Sequence, residues 1–219
     1  LNEIPKAFNI VGYKETKMKK ICIFITFLFL NAIAFGQPLS IEHVYADVFS
    51  GLNFVNKHKQ DEFELNFNPG YVIGTCIGYN LSNIFKLEAE IAYRRNSLSD
   101  VKMNNFSFPV SGSIKKTTLM TNGILAIPLK NHSLVPYCGV GIGGKWDERN
   151  SKLDPINVKG VRYTFERVVE KSSGGAYQFI AGMNFCSEEK MGVSLEYRFL
   201  NGPTTEINNT FNLNLKRCF

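Results

Sequence analysis

The run Phe85-Lys86-Leu87-Glu88-Ala89-Glu90-Ile91-Ala92-Tyr93-Arg94 alternates in polarity with a period of two. Odd positions carry Phe85, Leu87, Ala89, Ile91 and Tyr93. Even positions carry Lys86, Glu88, Glu90 and Arg94, with small Ala92 among them. A β-strand turns successive side chains to opposite faces, so this segment has one apolar face and one ionic face. A soluble sheet would turn the apolar face to a core and the ions to water. Two features elsewhere argue for the reverse. One is an export leader upstream, and the other is an alternating run that brings the chain to Phe219. Together they predict lipid against the apolar face and a closed barrel around the charges.

The leader comprises Met18-Lys19-Lys20, an apolar centre from Ile21 to Leu30, and Asn31-Ala32-Ile33-Ala34-Phe35-Gly36-Gln37. A basic start, a short apolar centre and small residues at Ala34 and Gly36 describe a signal peptide cleaved after Gly36. The competing reading, an uncleaved anchor helix, asks for a longer apolar run. Cys22 sits early in that run, not at its end, so it is not a lipid-attachment cysteine. Residues 1–17 resemble no part of a leader and read as an upstream extension, with translation starting at Met18. The expected organisation is an extension over 1–17, a signal peptide over 18–36 and one β-barrel domain over 37–219.

The composition suits strands and turns, with 18 Phe, 18 Gly and 9 Tyr. The formal net charge is +6, but the extension and leader hold five Lys and two Glu, leaving about half of it on the mature chain. No basic-aromatic patch accompanies it, so nucleic acid is not an expected partner. Cys76, Cys138, Cys186 and Cys218 match no metal-ligand spacing. Cys76 and Cys138 fall within strands, as small hydrophobes. Cys186 and Cys218 fall near one barrel end, where an oxidising compartment permits a bridge. No cofactor is implied.

Eight strands follow from the alternation: Val44–Asn56, Gly70–Asn80, Phe85–Arg94, Thr117–Leu129, Leu134–Gly144, Gly175–Phe185, Met191–Leu200 and Asn209–Phe219. Each is near the roughly 9–11 residues that a tilted strand needs to cross a bilayer. Short turns at Leu81–Asn83, Lys130–Ser133 and Cys186–Lys190 alternate with long connections at Lys57–Asn68, Asn96–Lys116, Lys145–Ser173 and Asn201–Asn208. That asymmetry is the one expected of short periplasmic turns and long external loops. The fold class is all-β, an eight-stranded antiparallel up-and-down transmembrane barrel.

Eight strands make a barrel whose interior side chains fill. The inward charges are Asp47, Glu88, Glu90 and Glu196 against Lys86, Arg94, Arg198 and Lys216. Ions enclosed away from water are costly unless paired, so their balance fits a plugged lumen. Inward glycines of the second and fifth strands leave room for the long charged side chains. The bland alternative is that these ions line the wet face of a soluble sheet. Tyr71, Tyr79, Tyr93, Tyr177, Tyr197 and Phe199 lie near strand ends on the outward face, where interfacial aromatic girdles sit.

Several stretches now carry a family likeness: Leu87-Glu88-Ala89-Glu90-Ile91-Ala92-Tyr93-Arg94-Arg95, Val135-Pro136-Tyr137-Cys138-Gly139-Val140-Gly141-Ile142-Gly143, Ala176-Tyr177-Gln178 and Leu195-Glu196-Tyr197-Arg198-Phe199. Over Val44 to Phe219 the chain resembles the small outer-membrane β-barrels of the opacity-protein and OmpA/OmpX-like superfamily, which includes bacterial surface antigens. Phe211, Leu213, Leu215 and Phe219 are similar to the C-terminal signal that such barrels present to their assembly machinery. Arg217 departs from it, since an apolar residue is usual there. The resemblance implies residence in the cell outer membrane, with lipid and the barrel-assembly machinery as partners. It implies a non-enzymatic surface antigen, adhesin or envelope-structural protein whose external loops meet a host or surface ligand. A small porin-like channel is the alternative. A lipocalin-like soluble carrier would need the faces exchanged. A lipid A-modifying enzyme would need a nucleophile and base at the external end, and of His43, His58 and His132 only His58 falls there.

Overall fold

The computed structural model describes residues 43–56, 58–60, 63–103, 106–127, 129, 134–153, 156–158, 161–163, 167–186, 191–202 and 207–218. Its strands are β1 (Val44–Val55), β2 (His58–Gln60), β3 (Phe63–Phe67), β4 (Gly70–Asn80), β5 (Phe85–Met103), β6 (Phe106–Ala126), β7 (Leu134–Leu153), β8 (Ile156–Val158), β9 (Val161–Tyr163), β10 (Val168–Cys186), β11 (Met191–Asn201) and β12 (Asn208–Cys218). Eight of them form a ring in the order β5-β4-β1-β12-β11-β10-β7-β6, and β6 pairs back onto β5 to close it. Every pairing is antiparallel. Closure gives each central backbone N–H and C=O a partner on a neighbouring strand, which a sheet in lipid requires. No helix among the described residues is long and apolar enough to cross a membrane, which says nothing of a chain that crosses with strands.

The side-chain pattern is that of a barrel turned inside out. Val48, Leu52, Ile73, Ile77, Ile91, Val140, Ile142, Phe179, Leu195 and Phe211 are each more than half exposed on the outer wall. Arg94, Arg198, Glu90, Asn53, Asn122 and Gln178 are buried in the lumen. An apolar belt of this extent is not what a soluble monomer exposes. Burying each such side chain in hydrocarbon is worth about 1.5–3 kcal/mol.

Aromatic residues mark the edges of the belt. β4 carries Tyr71 and Tyr79, β5 carries Phe85 and Tyr93, and β10 carries Tyr177 and Phe185. On each strand the pair lies eight residues apart. Eight residues at about 3.3 Å span roughly 26 Å along a strand, or about 20 Å after a tilt near 40°, which with the rings matches an apolar band of about 25 Å. At one edge the turn between β4 and β5 is tight. Ser82 Oγ accepts hydrogen bonds from the Ile84 and Phe85 N–H groups at 3.3 and 3.1 Å.

At the other edge the strands do not stop. β5, β6, β7 and β10 run 19, 21, 20 and 19 residues, well beyond a membrane's thickness. The sequence reading ended these strands at Arg94, Thr117, Gly144 and Gly175 and expected loops at Asn96–Lys116 and Lys145–Ser173. The structure instead continues the ladder, pairing Asn96 with Ile114 and Lys152 with Ser111. β3 adds to the free edge of upper β5, and β2 adds to β3. The faces exchange roles at this level. Leu98, Val110 and Ile114 now point inward and are buried, while Arg95, Lys115, Glu148 and Lys171 point outward. Below the aromatic edge the wall is apolar outside; above it the wall is apolar inside, as in a sheet surrounded by water.

Candidate functional site: the lumen and the projecting strands

Each lumen aromatic lies over a glycine on the next strand. Phe49 is paired with Gly74, Tyr45 with Gly78 and Tyr137 with Gly182. A Cβ on Gly74 would come within 2.3 Å of the Phe49 ring, one on Gly78 within 2.1 Å of Tyr45, and one on Gly182 within 2.4 Å of Tyr137. The inward glycines therefore seat aromatic rings, not the long ionic side chains that the sequence suggested they accommodate. Gly141 leaves room for the Asn122 amide and the Gln178 stem in the same way.

The charged groups form three layers. At the short-turn end, the Tyr45 hydroxyl donates to Glu88 at 2.6 Å. The Lys216 ammonium stands 3.2 Å from the Tyr45 ring centre, and that of Lys86 5.7 Å. Asn214 donates to Asp47 at 3.5 Å.

At mid-height Arg198 is the hub. Its Nη1 lies 2.6 Å from Glu90, its Nε hydrogen-bonds Glu196, and its guanidinium packs 4.0 Å over the Phe49 ring. Asn122 and Gln178 donate to Glu90 at 2.7 and 2.9 Å, and Tyr137 donates to Glu196 at 2.9 Å. Arg94 donates to Thr118 at 2.9 Å. The third layer lies at the aromatic edge, where Asp147 faces Lys116 at 3.8 Å and Lys145 at 3.7 Å.

Asp47, Glu88, Glu90, Arg94, Glu196 and Arg198 are all buried in the lumen, with Lys86 and Lys216 half-buried at its mouth. Tyr45, Phe49, Lys116, Lys145 and Asp147 share that lumen and were not on the sequence-derived set. The last three add two cations and one anion. They were hidden because the reading treated their segments as loops; for Lys145 and Asp147 the available signal was the apolar Trp146 between them, which continues the alternation of Gly141 and Gly143 past Gly144. Phe211, Leu213 and Leu215 face outward on β12, and Phe219 lies outside the described residues.

Cys76 is a free thiol inside the barrel and Cys138 a free thiol on its outer wall. The side chains of Cys186 and Cys218, the extension, the leader and Arg217 lie outside the described set, as do those of His58 and His132. His43 packs edge-on against Tyr79, 5.9 Å between ring centres. Among the described residues no group of His, Cys, Asp or Glu is arranged to hold a metal ion.

A ring of antiparallel strands with a lipid-facing apolar belt and an ionic lumen matches one family over nearly the whole barrel. The family is described as the outer membrane protein beta-barrel domain, and it covers residues 22–219. The chain belongs to this family. It is an integral protein of the cell outer membrane.

No curated protein sequence matches it. Among solved structures it is similar to Neisserial surface protein A, with 12% identity and a TM-score of 0.55, over 81% of this chain and 97% of that one. It is also similar to Ail, the attachment invasion locus protein of Yersinia pestis, crystallised with the heparin analogue sucrose octasulfate. There the identity is 15% and the TM-score 0.47, over 81% and 99% of the two chains. OprG of Pseudomonas aeruginosa follows at 12% identity and 0.46, over 81% and 98%. At 12% identity the likeness to Neisserial surface protein A speaks to the fold alone.

Proposed function

We propose that this barrel is a non-enzymatic surface protein that acts through its projecting strands, as an attachment protein and surface antigen. The observation that carries this reading is the division of the molecule. The lumen is filled at mid-height by Arg198, Phe49, Glu90 and Gln178, while four strands continue past the aromatic edge and carry charge on their outward face. A filled lumen offers no open bore, and a rigid ladder offers a defined surface at the place where binding residues usually lie.

The membrane lipid is one partner of the outer wall. The barrel-assembly machinery is a second, through Phe211, Leu213, Leu215 and Phe219. The host or surface ligand is a third, held by the external end.

The test is an attachment assay with a non-adherent Gram-negative host expressing the full chain. Compared with it is a variant whose strands are trimmed to tight turns after Arg94, Thr117, Gly144 and Gly175. Adhesion that rises with the full chain and disappears with the trimmed barrel, both inserted and heat-modifiable, supports the reading. Equal adhesion by both barrels refutes it. Stepwise ion currents from the full chain in planar bilayers would instead support the porin-like alternative.

A further inference from the structure

The exchange of faces at the aromatic edge sets a rung of charge on the outer wall, just beyond that edge. Trp146 pairs with Thr117, and Thr117 with Tyr93, at the edge itself. Two residues further along the same face, Arg95 pairs with Lys115, Lys115 with Glu148, and Glu148 with Lys171. Two residues are about 6.6 Å of strand, which puts Arg95 and Lys115 at headgroup level just above Tyr93 and Thr117. With strands about 4.8 Å apart and tilted near 40°, the rung rises roughly 3 Å per strand from Arg95 to Lys171.

The row is three cations to one anion. Glu148 lies 3.2 Å from Lys115 and 3.7 Å from Lys171, which tethers both ammonium groups without neutralising the row. Arg95 is exposed, and no ion pair joins it to another described residue. It also stands directly across the ladder from Lys115. Like charges so placed repel, and an anion between them relieves that repulsion. The opposite wall differs. There Tyr197 of β11 donates to Asn209 of β12, and Asn209 donates to Asn56, neutral partners throughout. Among the described residues, the outward cations next to the aromatic edge are Arg95 of β5, Lys115 of β6 and Lys171 of β10.

From this we infer that Arg95 and Lys115, with Lys171 beside them, bind the phosphate of a phosphorylated lipid in the outer leaflet. The guanidinium and ammonium donate charge-assisted hydrogen bonds to the phosphate oxygens. Trp146 and Tyr93 lie below, against the junction of headgroup and acyl chain. The site makes this wall a fixed lipid-facing side of the barrel.

The test uses the full chain in nanodiscs of phosphatidylcholine doped with lipid A, or with the same lipid stripped of its phosphates. Lipid retained after transfer to neutral detergent is measured by native mass spectrometry. The wild-type chain is expected to retain the phosphorylated lipid about thirtyfold more strongly, the effect of two cations beside an anionic surface. Arg95→Ala with Lys115→Ala removes the preference, Arg95→Lys keeps most of it, and Asn56→Ala on the opposite wall leaves it unchanged. Arg95→Gln is read beside the double variant, so a folding defect in the latter leaves the test intact. Equal retention of both lipids by the wild type overturns the inference, as does a preference that survives both Arg95→Gln and the double variant. Displacement of the lipid by millimolar inorganic phosphate also overturns it, because the site would then be one for a free anion.

Discussion

Arg198→Met removes the cation at the centre of the lumen and leaves two carboxylates behind. Arg198 is 1% exposed and touches Glu90 at 2.6 Å, Glu196 and the face of Phe49. Breaking a buried ion pair by removing one partner costs about 3–5 kcal/mol, because the other charge stays buried. The lost cation–π contact adds roughly 1 kcal/mol. Hydrogen bonds that survive soften the loss: Asn122 and Gln178 still donate to Glu90, and Tyr137 and Asn212 to Glu196. The expected destabilisation is therefore about 4 kcal/mol. Arg198→Met combined with Glu90→Gln and Glu196→Gln should recover more than half of it, since replacing a whole buried ion set is often close to neutral. Urea unfolding of the chain in lipid vesicles measures this, followed by Trp146 emission and by gel mobility without boiling. At about 1–3 kcal/mol per molar, the single variant's midpoint falls by between roughly 1.3 and 4 M. A single variant within about 1 kcal/mol of wild type would refute the reasoning. So would a triple variant no more stable than the single one.

Further outcomes follow from the same geometry. Gly78→Ala drives a methyl into the Tyr45 ring and should cost about 1–3 kcal/mol, whereas Gly123→Ala meets no atom within 4 Å and should stay within about 0.5 kcal/mol in the same urea titration. Trp146, the one tryptophan of the chain, lies outward at the upper aromatic edge, so lipids brominated near the headgroup should quench it more than lipids brominated near the chain ends. Cys138 on the outer wall should react with a lipid-soluble maleimide in vesicles while Cys76 in the lumen stays protected until unfolding, as read by mass spectrometry. The Lys115 ammonium, through its hydrogen bond and its charge, holds the Glu148 carboxyl below the ordinary glutamate value. Its pairing with Lys115 is thus complete above that ordinary value and is lost as pH falls through the depressed one. A carboxyl NMR titration that finds Glu148 at or above the ordinary value contradicts this.

The transmembrane half was legible because lipid outside and ions inside are written in opposite polarity on alternate residues. Lys86, Glu88, Glu90 and Arg94 against Leu87, Ala89, Ile91 and Tyr93 leave little choice of face. The projecting half was not legible for the same reason in reverse. Beyond Arg95 the outside is water, so the apolar residues move from odd to even positions: Leu98 follows Ile91 and Tyr93 on β5, and Val110 and Ile114 oppose Leu119 on β6. A change of parity inside one strand reads as the end of a strand. Tyr45 and Phe49 share the parity of Asp47 and Asn53, so the alternation of the first strand already puts them on the inward face. Only the glycines across the ladder, Gly78 and Gly74, show that there is space for them inside.

The buried ions have a consequence for register that their modest net contribution to stability does not suggest. A slip of one residue between β11 and its neighbours would turn Glu196 and Arg198 into lipid and Leu195 and Tyr197 into the lumen. An arginine near the bilayer midplane costs about 2–4 kcal/mol on the lipid face, and the slip would also strip Glu90 of its partner. β12 adds little of its own, since its inward residues Asn208, Thr210, Asn212 and Asn214 are neutral and alike. Its register with β11 therefore depends on the charges of the strand beside it and on Lys216, which reaches the Tyr45 ring of β1. The closing pairs β11–β12 and β12–β1 are thus fixed in register by a few ionic and aromatic contacts. A variant that keeps stability but loses those contacts, such as the neutral triple variant at Arg198, Glu90 and Glu196, should refold to a mixture of registers. Hydrogen exchange would show this as amide protection on β11 and β12 that is heterogeneous, while protection on β5 and β6 stays uniform.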